Sequence, residues 1–155
     1  MALAISIGIL LSIVSIALHS VSTSLLIHSL RRKPEALQRK FGDVRVFSLA
    51  AVWLLITHTL HSIVWAVAYM LVVGRPLFAD MQDAVYFSAV TFSTLGYGDI
   101  VIEGRWKMLS ACQAMTGLLI FGWSSALLYS VVSRVWAERF GPSPDSSNPN
   151  SSGNE

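Results

Sequence analysis

The chain has 155 residues, of which 54% are hydrophobic and only 13% charged, and its formal net charge is +2. The polar side chains are too few to cover the surface of a soluble domain of this size. The composition therefore excludes an ordinary water-soluble domain and favours a membrane protein. The single cysteine, Cys112, excludes an internal disulfide framework. We expect no nucleic-acid partner.

Three stretches of the chain contain no Asp, Glu, Lys or Arg, namely 1–30, 46–73 and 108–133. Each exceeds the roughly 20 residues that a helix needs to cross a hydrocarbon core of about 30 Å. We therefore predict three transmembrane helices, over 1–30, 46–73 and 106–134. The first has no Lys or Arg before its apolar run and no clear cleavage site after it, so we expect it to remain in the mature protein.

Basic residues are concentrated on one side of these predicted spans. The loop 31–45 holds six Lys or Arg, and Arg134 and Arg139 follow the third charge-free stretch, whereas only three basic residues lie between the second and third of these stretches. The positive-inside rule then predicts a multi-pass protein of the cell membrane with its N-terminus outside and its C-terminus in the cytoplasm. The basic loop is predicted to form a short interfacial helix that contacts anionic lipid, unless its charges act only as a topology signal. The tail 141–155 is rich in Ser, Asn, Pro and Gly and is predicted to be disordered.

Between the second and third spans the pattern predicts a short helix over 81–93, with Asp80 as its N-cap and Asp83 three residues later. A helix of that length covers about 20 Å and cannot cross the bilayer, so we expect it to re-enter from the outer side. Irregular backbone at membrane depth is tolerated only where it is buried in protein or lines a water-filled path. Gly96 and Gly98 can adopt positive φ at alternate positions, which would let consecutive carbonyls point one way and bind a cation.

The segment YFSAVTFSTLGYGDI, residues 86–100, resembles the pore loop and selectivity filter of the potassium channel family. The resemblance extends over about 80–134 and implies an all-α homotetramer, with a pore domain over 46–134 in which 94–99 is the filter. In that family the filter carbonyls of four copies replace the hydration shell of the ion. By position, the resemblance implies K⁺ binding at Thr94, Leu95, Gly96 and Tyr97, a turn at the outer mouth permitted by Gly98, and an acidic ring formed by Asp99.

Some positions depart from the commonest family pattern. Leucine replaces the usual valine at position 95, which should leave the carbonyl in place. Val90 stands where some members carry a glutamate that pairs with the filter aspartate, so Asp99 is expected to lack that partner. Tyr86 and the following phenylalanine stand where two tryptophans are common, and this phenylalanine cannot bond the hydroxyl of Tyr97. Thr91 is the alternative candidate for that bond.

The predicted inner helix contains Gly117 and Gly122, which fit a gating hinge and close helix packing about equally well. No predicted span carries Lys or Arg at three-residue spacing, so we expect no voltage sensor. His58 and His61 lie on one face of the second span and are candidates for pH sensing or metal binding, although neutral imidazoles that bond between helices are the simpler interpretation. The two histidines of the first span are assigned no role.

The sequence therefore predicts a potassium-selective channel that conducts K⁺ passively and has no large cytosolic ligand domain. A weakly selective cation channel and a non-conducting regulatory membrane subunit are the alternatives. No enzymatic activity is expected, because no nucleophile lies beside a base and the histidines have no carboxylate near them in sequence. The permeant K⁺ is the only ligand expected, and the expected partners are membrane lipids and three further copies of the chain.

Overall fold

The computed structural model describes residues 1–31, 42–74 and 77–140. Its elements are α1 (Ala2–Arg31), α2 (Gly42–Val72), α3 (Met81–Phe92), a short 3₁₀ turn (Gly104–Trp106) and α4 (Lys107–Phe140). Compared with the prediction, α2 begins earlier than residue 46 and α4 continues beyond residue 134. Most of the loop expected to form an interfacial helix, 32–41, and the tail 141–155 lie outside the described residues.

Three helices of the described chain are long and apolar enough to cross a membrane, over Ala2–Leu30, Val44–Val72 and Gly104–Ala137. All regular structure in the described ranges is helical, so the predicted all-α class with three spans is confirmed. The fourth helix, α3, has only 12 residues and is too short to cross the bilayer. It packs between α2 and α4, beside the glycine-containing loop that follows it.

The start of α3 is fixed by two aspartates. The backbone N–H of Asp83 donates to Oδ1 of Asp80 at 3.0 Å, and the N–H of Ala79 donates to Oδ2 of Asp83 at 3.2 Å. The first bond satisfies an N–H group that the first turn of a helix leaves unpaired, and the second ties the residue before the N-cap to the helix. The predicted N-cap is therefore confirmed, and it sets where the loop after α3 begins.

Small and polar side chains attach α1 to α4 and α2. A Cβ atom at Gly8 would lie 2.7 Å from the cysteine sulfur of α4, so only glycine permits this approach. Further along α1, Thr116 donates to the hydroxyl of Ser12 at 2.7 Å and the indole of Trp65 donates to Ser15 at 3.0 Å. Close approach and interhelical hydrogen bonds are what hold helices together in lipid. The first helix is thus packed against its own subunit along much of its length.

A buried polar network joins the other three helices. The hydroxyl of Tyr69 in α2 donates to Oε1 of Gln113 in α4 at 2.7 Å. Nε2 of Gln113 donates to the carbonyl and the hydroxyl of Ser88 in α3, at 3.1 and 2.7 Å. The Ser88 hydroxyl in turn donates to the carbonyl of Ser62 at 2.7 Å. This network fixes the depth of α3 between the two spans beside it.

We expect Gln113→Leu to lower the free energy of unfolding by about 1–2 kcal/mol, because it leaves the hydroxyl of Tyr69 without its acceptor in an apolar interior. Thermal unfolding of the purified protein in detergent measures this change. The matched control is Ser125→Ala, which removes an exposed hydroxyl bonded only within α4, to Phe121. Equal unfolding temperatures for the two variants would show that the network does not stabilise the fold.

Candidate functional site

The loop after α3 is attached to the helix by a Schellman motif. The N–H of Thr94 donates to the carbonyl of Thr91, and the N–H of Leu95 to the carbonyl of Val90, both at 3.0 Å. The motif requires a left-handed residue, which is usually glycine, and here Thr94 adopts it with φ of 59°. A β-branched residue in this conformation is rare and marks a constrained backbone.

The sign of φ alternates along the loop. It is positive at Thr94 (59°), Gly96 (56°) and Gly98 (78°), and it is not positive at the intervening Leu95 and Tyr97. The positive φ expected at the two glycines is therefore confirmed, and the one at Thr94 is additional. Alternating left- and right-handed residues turn successive peptide planes so that their carbonyls can face one side. The alternation of φ is the feature that a column of oxygen ligands requires of the backbone.

The loop side chains are exposed in the single subunit. Leu95 is 56% and Tyr97 68% exposed. The hydroxyl of Tyr97 forms no hydrogen bond with a described residue of its own subunit, so Thr91 is not its partner there. A large apolar side chain and an aromatic ring therefore project from an irregular backbone without cover from the same subunit.

Behind the loop lies a cavity of about 390 Å³, between the loop, α3 and the first turns of α4. Small side chains of α4, Ser110, Ala111 and Ala114, form one wall. The remaining lining residues belong to α3 and the loop: Phe87, Val90, Thr91, Thr94, Gly96, Gly98, Asp99, Ile100, Val101 and Ile102.

The carboxylate of Asp99, at the C-terminal end of the loop, has a hydrogen-bond partner in α3. The hydroxyl of Tyr86 in α3 donates to Oδ2 of Asp99 at 2.7 Å. This bond raises the pKa of the Tyr86 phenol and lowers the pKa of the Asp99 carboxyl relative to their usual values. Tyr86 thus supplies a contact that Val90 cannot. The sequence signal for it was the hydroxyl in a position where tryptophan is common.

The two glycines of α4 have different surroundings. A Cβ atom at Gly117 would overlap the backbone carbonyl of Phe92, the last residue of α3, whereas a Cβ at Gly122 would meet no atom within 4 Å. Packing against α3 therefore accounts for Gly117. A hinge at either glycine stays a prediction, and at Gly122 no contact within the described subunit competes with it.

The structure places His58 and His61 beside His19 of α1, and we call these three residues the histidine cluster. Ser124 of α4 lies within hydrogen-bonding distance of two of the rings. No three or more His, Cys, Asp or Glu side chains in the described ranges are arranged to hold a metal ion, so the metal interpretation gains no support. Sequence reasoning missed His19, because its role depends on how α1 packs against α2.

Three spans, a re-entrant helix too short to cross the bilayer and a loop with alternating φ define a pore-loop membrane protein. A family model described as "Ion channel" matches residues 46–134, more than half of the chain. The chain belongs to this ion channel family. The match covers α3, the loop and most of α2 and α4, and it leaves α1 outside.

A curated relative is the "Uncharacterized membrane protein YdjJ" of Bacillus subtilis (strain 168). It is 37% identical over 62 residues, which are 39% of this chain and 18% of the relative. The chain thus matches less than a fifth of that protein's length. No solved structure gives a significant match.

We expect Tyr86→Phe to increase the mobility of the loop, because it removes the hydroxyl that bonds Asp99 and retains the ring. Hydrogen exchange of the amides between residues 97 and 102 should become roughly fivefold faster. Mass spectrometry of the protein in detergent measures this rate. Tyr129→Phe, which changes an exposed tyrosine on α4, is the control and should leave the rate unchanged. Unaltered exchange in Tyr86→Phe would mean that the bond does not restrain the loop.

Proposed function

We propose that this protein is a potassium-selective channel that conducts K⁺ passively through the loop 94–99. The observation that carries the proposal is the alternation of φ at Thr94, Gly96 and Gly98, directly after a short re-entrant helix and between two spans. K⁺ is a large, weakly hydrated cation that carbonyl oxygens can coordinate in place of water. The carbonyls of residues 94–97 would supply those oxygens, with Thr94 adding its hydroxyl.

The channel would be a homotetramer, because one subunit supplies one quarter of the ring of carbonyls that the resemblance to potassium channels implies. The exposure of Leu95 and Tyr97 supports assembly, since irregular backbone at membrane depth must be covered by protein or line water. Four copies around one axis would cover those side chains and turn the loop carbonyls toward a shared path. The C-terminal end of α3, which carries about half a negative charge, would then favour a cation in the part of the pore below the filter.

The orientation of the channel follows from its basic residues. Six Lys or Arg in 31–45 against three between the second and third spans favour a cytoplasmic loop, an outer N-terminus and a cytoplasmic C-terminus. Asp99 would then lie at the outer mouth, where four carboxylates raise the local concentration of cations. Anionic lipid would contact the basic loop on the cytoplasmic side.

Ion flux through the purified protein in liposomes tests the proposal. We expect K⁺ flux that Ba²⁺ blocks, and a reversal potential under mixed K⁺ and Na⁺ that lies close to the K⁺ equilibrium potential. Equal permeability to the two ions would make the protein a weakly selective cation channel. A folded tetramer without flux at any lipid composition would instead favour a non-conducting regulatory subunit.

A further inference from the structure

The histidine cluster is buried at the junction of α1, α2 and α4. The His19 ring centroid lies 5.9 Å from that of His58 and 5.7 Å from that of His61. His19 is 0% and His61 2% exposed. The hydroxyl of Ser124 lies 3.3 Å from Nε2 of His19 and 3.2 Å from Nε2 of His58, and it can bond both rings at once.

Four ring nitrogens of the cluster lack a partner. They are Nδ1 of each of the three histidines and Nε2 of His61, none of which is bonded to a described residue. Burying an unpaired polar atom costs about 1–3 kcal/mol, so apolar side chains would fill this space at lower cost. An unpaired imidazole nitrogen in its neutral form carries either a proton to donate or a lone pair that can bind one. The cluster is therefore equipped to take up protons.

No opposite charge faces the cluster from the described helices. The residues packed against the rings are Phe92 of α3 and Phe121, Trp123 and Ser124 of α4. Beyond the three imidazoles, the charge-free stretches of α1, α2 and α4 that surround them bring no acid or base. Apart from the C-terminal end of α3, nothing in these helices offsets the positive charge of a proton taken up here, so burial works against uptake and strongly acidic solution is needed for it.

That charge would lie beside the end of α3. The ring of His61 stacks on Phe92 with centroids 5.7 Å apart, and the ring of His58 lies 6.0 Å from it. Phe92 is the last residue of α3. According to the proposed function, the C-terminal dipole of α3 favours a cation in the pore below the filter. An imidazolium at this distance opposes that dipole, and a tetramer would repeat the effect four times.

We propose that the histidine cluster is a proton-binding switch whose protonation at acidic pH lowers K⁺ flux by opposing the α3 dipole. The proposal rests on the proposed function. Through His19, α1 would take part in regulation, although it lies outside the residues that the family model matches.

Flux from liposomes between about pH 7.5 and about pH 3.5, with equal pH on both sides, tests the switch, and the range extends this low because burial without a counter-ion disfavours a charged ring. In the unmodified protein we expect flux to fall about tenfold across this range. The triple variant His19→Asn, His58→Asn and His61→Leu should lose most of this dependence. The single variant His61→Leu retains both bonds to Ser124, so it should fold, and it should reduce the fall to about threefold. His28→Asn, which changes an exposed histidine of α1, should respond to pH like the unmodified protein.

A second readout does not depend on conduction. The indole of Trp123 meets the ring of His19 edge-on at 5.5 Å, and imidazolium quenches indole fluorescence. The emission that Trp123→Phe removes should fall over the same acid range, and it should not fall in the triple variant. Flux independent of pH, or acid inhibition that persists in the triple variant, would overturn the switch. Absence of flux at every pH would contradict the potassium channel itself, and the Trp123 titration would then decide whether the cluster binds protons.

Discussion

Replacing Gly96 and Gly98 together by alanine is expected to reduce K⁺ flux at least about 100-fold while the helices remain intact. Both glycines have positive φ, and no atom of the subunit lies within 4 Å of a Cβ at either position. The change therefore introduces no clash within the subunit and acts through the backbone, where a left-handed alanine costs roughly 1 kcal/mol or more. The loop would relax toward negative φ and turn carbonyls away from the ion path. Liposome flux and circular dichroism measure the two parts of this result.

Gly104 provides a matched control for these two glycines. It has φ of +65° and likewise has no atom within 4 Å of a Cβ, but it lies outside the loop 94–99. Gly104→Ala imposes the same kind of backbone strain on a residue that offers no ligand to the ion. Flux should fall less than twofold in this variant, an estimate based on strain of about 1 kcal/mol outside the ion path. A similar loss of flux in both variants would show that general destabilisation, and not filter geometry, explains the effect.

The second large effect is expected at Gly117. A methyl group there would overlap the carbonyl of Phe92, so Gly117→Ala must displace the end of α3 from α4. Overpacking against backbone costs about 1–3 kcal/mol, and the loop proposed as the filter begins at the displaced helix end. We therefore expect both a lower unfolding temperature in detergent and a loss of K⁺ selectivity in liposomes.

Gly122→Ala is the comparison for this substitution. Within the subunit nothing restricts a methyl group at that position, and alanine favours a helix over glycine by up to about 1 kcal/mol. Its unfolding temperature should stay the same or rise. Altered flux in Gly122→Ala at unchanged stability would support a hinge there. Equal stability of both alanine variants would instead show that the contact between Gly117 and Phe92 tolerates a side chain.

The spans and the re-entrant helix could be predicted because each has a local cause. Runs without charge mark the hydrocarbon region, and the spacing of Asp80 and Asp83 marks a helix start. The helix ends were less predictable, since α2 begins at Gly42 and α4 continues to Phe140. A helix does not stop where its charges begin, because Lys, Arg and Glu are good helix formers.

The site could be predicted only where one residue decides the geometry. The glycines at 96 and 98 indicate positive φ by their residue type alone. The left-handed conformation of Thr94 depends on hydrogen bonds to carbonyls of α3, which the sequence does not reveal. The bond between Tyr86 and Asp99 and the position of His19 depend on how separate segments pack. Such contacts leave no periodic pattern in one sequence.

The attachment of α1 has a consequence for how the chain reaches its final form. The bond between Ser12 and Thr116 joins residues 104 positions apart, and the one between His19 and Ser124 joins residues 105 apart. During synthesis α1 is made before α4, so its polar partners on α4 become available only later. Until then the hydroxyl of Ser12 has a partner within its own helix, because it donates to the carbonyl of Gly8 at 2.7 Å. The contacts of α1 with α2, such as the bond between Trp65 and Ser15, can form before α4 is made, and the contacts with α4 complete its attachment.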